Sequence, residues 1–233
     1  MKIPSPLNGW RVFAGEVGVI VLGVLLALGA QQLVEDIQMR AEVREFRKTI
    51  DHEIGLNLFV YDVRSQGSAC NEKRIRELAT WVRDARDGTP LPQIEPYGPP
   101  YMAGYRSSWD SRDGTVFANV PLKARRKYAE FYDELSGNMS RLEMEERAWA
   151  ELQRYVIRGP ISIDDRRAII GTLNDAMRQT ASWDSNMPVA RKIADELGIK
   201  PIKPDNVSDA FLNEVKTCDP MFVASGAGGP TRS

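Results

Sequence analysis

Residues 12–34 read VFAGEVGVIVLGVLLALGAQQLV, with Glu16 as the one charged side chain and Gln31 and Gln32 near the end. A helix rises about 1.5 Å per residue, so about 20 apolar residues cross the roughly 30 Å hydrocarbon core of a bilayer. Within lipid the backbone must satisfy its own hydrogen bonds, which leaves a helix as the conformation of a single span. The run therefore predicts a transmembrane helix. The remainder of the chain must fold around that constraint.

The rest is polar and carries no second apolar run of spanning length. A mean hydropathy of −0.36 suits one membrane helix joined to a water-soluble domain. With 31 Lys+Arg against 32 Asp+Glu, the formal net charge is −1, and no charge imbalance points to nucleic acid. The sequence divides into a short N-terminal segment at 1–11, the span at 12–34, a helical soluble domain at 35–200 and an irregular tail at 201–233.

A cleaved signal peptide is the competing reading of the first stretch, since Ala27-Leu28-Gly29 loosely resembles a cleavage site. Against it, the apolar run starts late, carries Glu16 and continues past Ala30 with no Pro break. Lys2 and Arg11 precede the span without an acid, while Arg40, Arg44, Arg47 and Lys48 follow it among Glu35, Asp36, Glu42 and Glu45. The strict Lys/Arg count favours a cytoplasmic domain, but large domains translocate largely regardless of charge. The expectation adopted is an N-terminus in the cytoplasm of a bacterial cell, a span in the inner membrane and a periplasmic domain.

Beyond the span, Met39, Val43, Phe46, Ile50, Ile54, Leu58 and Tyr61 recur at steps of three or four, which predicts a helix continuing to about Arg64. Ser65-Gln66-Gly67-Ser68 reads as a turn, followed by a second helix over 70–86 that Asp87-Gly88 ends. Residues 89–104 hold five prolines and read as a stiff connector. A short helix around Trp109, a turn at Asp113-Gly114 and a long helix opened by Pro121 come next. Gly137-Asn138 is a candidate break in that helix, and Gly159-Pro160 its stop. Ser162 and Asp165 have capping-box spacing. A separate helix is expected over 188–197, from Pro188 to a stop at Gly198, and a short one over 208–216. No stretch alternates with period two, so the fold is expected to be all-α.

Gly15-Glu16 followed by Gly23-Val24-Leu25-Leu26-Ala27-Leu28 resembles the N-terminal segment of a family of uncharacterised bacterial single-pass membrane proteins. In that family a Gly-Glu/Gly-Val-x-x-Ala-Leu membrane helix leads into a charged helix. A second similar block comprises Trp109, Asp113-Gly114, Tyr128, the pair Phe131-Tyr132 and Leu135. Gln31-Gln32-Leu33 departs from the family pattern, where an Asn-Asn-Trp-like signature would stand. The resemblance implies the architecture and brings no catalytic residue.

The chemistry-bearing patterns are sparse. His52 is the single histidine and sits between Asp51 and Glu53, so no zinc set is expected. Nucleophile elbows and phosphate-binding glycine loops do not occur, and no catalytic, cofactor-binding or metal-ligating residue is assigned. Glu143, Glu145 and Glu146 read as a solvated face with Arg141, Arg147 and Arg154 as partners. Glu16 either reaches the headgroups or lines a contact with a partner helix. At 100° per residue it shares a face with Gly23, Ala27 and Ala30, and Gly23-x-x-x-Ala27 permits close backbone approach, so self-association through the span is the partner expected besides the bilayer.

Cys70 and Cys218 form either a disulfide or a buried thiol and a loose one. On the chain-entropy account a loop of about 150 residues is worth about 5 kcal/mol, less any strain. The functional expectation is a membrane-anchored helical protein that binds, senses or scaffolds. The alternative is a tethered enzyme whose site is assembled from scattered acids and arginines.

Overall fold

The computed structural model describes residues 9–88, 98, 102–158 and 160–218. The described residues form six helices and no strand: α1 (Trp10–Asp84), α2 (Ser107–Asp110), α3 (Gly114–Ala118), α4 (Leu122–Arg158), α5 (Ile163–Leu197) and α6 (Asp209–Lys216). The all-α expectation holds. Most of the proline-rich stretch and the glycine-rich C-terminal end lie outside the described residues.

α1 is one helix of 75 residues, with no break between Ala30 and Ile50. It also runs straight through Ser65–Ser68, so the turn expected there and the separate helix after it are both corrected. Tertiary contacts outweigh the weak helix preference of that stretch. Gly67 lies against Val215, and Ser68 Oγ donates to Asp184 Oδ2 at 2.7 Å.

The chain forms two compact units: Met1–Lys48 with Arg112–Val120, and Thr49–Ser111 with Pro121–Ser233. In the first, the Phe46 ring meets Phe117 edge-on at 5.9 Å, and Arg112 Cζ lies 5.5 Å from the same Phe117 ring. Asp113, expected in a turn, instead caps α3, accepting from the N–H groups of Thr115 and Val116 at 2.7 and 2.9 Å. Those two donors hold its carboxyl below the usual carboxylate range.

The second unit is built on three long helices. Contacts at Asp51–Tyr128, Tyr61–Asn138 and Arg64–Glu145 rise together in number, so this part of α1 runs parallel to α4. Arg191–Asp62, Ser68–Asp184 and Asn71–Thr180 run in opposite senses, so α5 is antiparallel to it. At one end an apolar cluster gathers Ile75, Leu78 and Val82 of α1, Trp149 and Leu152 of α4, and Ile169 and Leu173 of α5.

The helix ends follow local chemistry. Ser162 and Asp165 close a reciprocal capping box at the start of α5. Gly198, at φ 78°, ends it: its N–H reaches Asp195 O, and the Ile199 N–H reaches Ala194 O. Pro188 does not open a new helix; it lies inside α5, whose two ends are each independently capped and whose interior is packed on both flanks by Trp183 and Ala190. Likewise α4 passes through Gly137-Asn138 unbroken, because Asn138 is fully buried and donates to Tyr61 Oη at 2.6 Å.

Candidate functional site

Nine buried side chains of α1, with Ile50, Ile54, Leu58, Val60 and Val63 buried beside them, follow one seam: Glu53, Asn57, Tyr61, Arg64, Ser68, Asn71, Ile75, Leu78 and Val82. Their steps of three and four are those of a coiled-coil face. The last three are apolar. The first six carry polar groups, and each of these side chains makes at least one hydrogen bond, although Arg64 Nε and Nη1 and Asn71 Oδ1 make none.

Glu53 receives the backbone N–H of Ser108 at 2.7 Å and of Trp109 at 3.2 Å, and the Tyr132 hydroxyl also donates to it. Burial, reinforced by this bond to a carboxylate, pushes the Tyr132 hydroxyl well above its ordinary pKa. The Tyr132 ring stacks on Trp109 with centroids 4.5 Å apart and planes 6° from parallel. One helical turn on, Asn57 bonds the Tyr105 backbone twice, donating to its carbonyl at 2.7 Å and accepting its N–H at 2.8 Å. Tyr61 packs edge-on against Trp183 at 5.3 Å, and burial raises its pKa to about 12.

The centre of the seam is an ion pair between Arg64 and Glu145, 4% and 1% exposed. Arg64 Nη2 donates to both carboxylate oxygens, at 2.8 and 2.6 Å. Asn71 Nδ2 and Thr180 Oγ1 donate to Glu145 Oε1 at 2.8 and 2.7 Å, so donors from α1 and α5 meet the α4 carboxylate. The Trp183 ring lies 6.0 Å from Arg64 Cζ. Arg64 Nε and Nη1 make no hydrogen bond, so its guanidinium is engaged through one nitrogen only.

This seam is what sequence reading missed. The solvated face expected of Glu143, Glu145 and Glu146 is corrected at Glu145: Glu143 pairs with Arg147 at the surface, but Glu145 is buried. The signal was present as the 4-4-3-4-3 spacing of Glu53 through Asn71. It was hidden because a search for apolar periodicity passes over polar core positions.

His52 is exposed, and Trp109, Trp149 and Trp183 are core residues. Glu16, Gly23, Ala27 and Ala30 all lie on the exposed N-terminal stretch of α1, and nothing approaches within 4 Å of where a Gly23 side chain would stand. Cys70 and Cys218 are joined in a disulfide with Cα atoms 5.3 Å apart.

Chemically, the seam holds its groups closed. Glu145 has its acceptor sites occupied by protein donors, and Glu53 serves as a cap, so neither carboxylate is presented to a substrate. One cavity beside Arg64, lined also by Val60, Met102, Leu142 and Trp183, measures about 10 Å³. Another, of about 110 Å³, lies among Leu58, Asp62, Arg191, Ile199 and Lys200. Both are well below the roughly 300 Å³ at which small-molecule sites begin. Among the described residues, no group of three or more His, Cys, Asp or Glu is placed to hold a metal ion. No protein-family model, curated protein or solved structure matches this chain.

Proposed function

We propose that the chain is a single-pass protein of a bacterial inner membrane, with its N-terminus in the cytoplasm and a periplasmic helical domain that binds or scaffolds a protein partner. The observation that carries this reading is the N-terminal stretch of α1. It contains an 18-residue window of mean hydropathy 2.2, none of which is buried by the protein itself. Leu22, Leu25 and Leu26 are 58%, 60% and 66% exposed, and such a run in water would cost about 1.5–3 kcal/mol for each large side chain left unburied. A lipid environment removes that cost.

The Cys70–Cys218 disulfide supports an oxidising compartment for the domain. The closed seam favours binding through the outer surface over catalysis by its buried carboxylates. The likeness of the first helix and of the Trp109/Tyr132 block to uncharacterised single-pass proteins agrees with this architecture. Alkaline extraction followed by in-membrane cross-linking tests the reading. The chain is expected to stay in the pellet and to cross-link through its domain to a discrete protein partner. Release into the alkaline supernatant, or turnover of a small molecule by the purified domain, would overturn it.

A further inference from the structure

After α5 the chain reverses at Gly198 and returns along α1 in the same direction as α1 itself. Ile202 sits at Gly55, Val215 at Gly67 and Cys218 at Cys70, so residues 199–218 form a strap covering about four turns of the helix. Gly55 is the notch that admits it. A Cβ at that position would stand 2.6 Å from Ile202 Cδ1 and 2.9 Å from the Lys200 carbonyl oxygen, so only glycine lets the strap this close. There the Ile202 N–H donates to the Gly55 carbonyl at 2.8 Å.

Between this notch and the disulfide the strap is lightly held. Only Pro204 and Val215 are buried in that interval. The hydrogen bonds and ion pairs described there are internal: Lys203 to Asp209, Ser208 capping α6, and Thr217 to Asn213. α6 has eight residues, too few to persist as a helix without support. Both cysteines are half-buried and so reachable by a reductant. A disulfide whose two thiols are not otherwise held together is favoured to open, because the released chain regains its freedom.

We propose that the strap is a cover whose seating on α1 is set by the redox state of Cys70–Cys218, and that a protein dithiol opens it. One thiolate of the reductant attacks a sulfur of the pair, forming a mixed disulfide and releasing the other cysteine as a thiolate that takes up a proton. The second thiol of the reductant then closes its own disulfide and frees the remaining cysteine. Two electrons pass to the Cys70–Cys218 pair, and the dithiol is oxidised. Opening lifts the strap from the α1 face that runs through Gly55, Leu58 and Gly67, while the three-helix core keeps its apolar cluster and its polar seam. This device does not depend on the membrane reading, and it is tested on the full chain in detergent micelles.

The measurement is hydrogen exchange of peptides covering 203–217, compared before and after treatment with millimolar dithiothreitol and without denaturant. Exchange in these peptides is expected to accelerate about tenfold or more, with peptides from α4 and α5 unchanged. The Cys70→Ser/Cys218→Ser variant should reproduce the reduced pattern. Gly55→Ala, which fills the notch and leaves the cysteines in place, should speed reduction by dithiothreitol severalfold. A disulfide that resists reduction until the domain is unfolded would overturn the proposal. So would reduction that leaves the strap protected, or that loosens α4 and α5 equally.

Discussion

The two ends of α1 solve opposite problems with the same backbone. Over 13–34 the helix is apolar all round and its large side chains are exposed; over 53–71 the inward face is polar and buried. A helix this apolar suits an apolar environment, and its one expected contact face is the small-residue face of Gly23, Ala27 and Ala30 with Glu16. The second stretch needs partners instead. Glu53, Asn57, Arg64 and Asn71 can be buried only where donors and acceptors from other elements meet them: Glu53 and Asn57 seat the backbone at Tyr105–Trp109, and Arg64 and Asn71 fix Glu145 of α4 and Thr180 of α5 opposite them. The first stretch is specified by its surroundings, the second by its matching side chains.

Charging the first stretch should break the comparison most sharply. Leu22→Arg together with Leu26→Arg places two guanidinium groups near the centre of the span, at about 2.5–3.5 kcal/mol each on the insertion scale. The variant is expected to lose stable insertion and to move to the soluble or aggregated fraction on alkaline extraction. Retention in the membrane pellet would argue against the span.

The second stretch responds to a different change. Glu145→Leu leaves Arg64 buried without its carboxylate, and the domain should lose about 3–5 kcal/mol in urea unfolding. Adding Arg64→Met to the same chain should restore part of that loss, since the desolvated charge is then gone. A double variant as unstable as the sum of the two single ones would mean that the pair is not coupled.

How much of this was readable in advance depended on which forces wrote it. The apolar helix over 12–34, the capping box at Ser162, the stop at Gly198 and the short helix near 209–216 are all legible, because each rests on local chemistry. The fate of Ser65–Ser68 and Pro188 is not. Those stretches have weak local preference and are held helical by residues far away in sequence: Asp184 for Ser68, Val215 for Gly67, and, on either side of Pro188, Tyr61 against Trp183 and Asp62 bonded to Arg191. The Arg64–Glu145 centre was equally hidden, since 81 residues separate its partners. Trp109, Tyr132 and Glu53, also far apart in sequence, form one stacked and hydrogen-bonded unit.

A smaller effect comes from pH. Tyr61, raised to about 12, and Tyr132, also raised, keep their protons in the folded state at pH values where an unfolded tyrosine, near 10, has begun to lose its own. Their contribution is therefore complete below pH 10 and is lost as pH rises through the folded values. At about 1.4 kcal/mol per unit, Tyr61 alone accounts for about 2–3 kcal/mol between pH 10 and 12. Urea midpoints of the domain should fall across that window, and Tyr61→Phe should flatten the fall. An equal slope in the variant would remove Tyr61 as its source.

The smallest expected effect concerns contacts within the bilayer. Gly23→Ile with Ala27→Ile should weaken self-association of the span by about 1 kcal/mol or less, because the bulky side chains force the backbones apart. A membrane two-hybrid signal that stays unchanged while insertion is normal would dismiss the Glu16/Gly23/Ala27/Ala30 face.

The contrast between the two stretches of α1 is tested most directly by protease protection in right-side-out inner-membrane vesicles. A span with a periplasmic domain predicts that added protease digests everything beyond about residue 40 and leaves one short protected fragment containing residues 12–34. Protection of the full-length chain, or its complete digestion with no membrane-embedded fragment, would contradict the account.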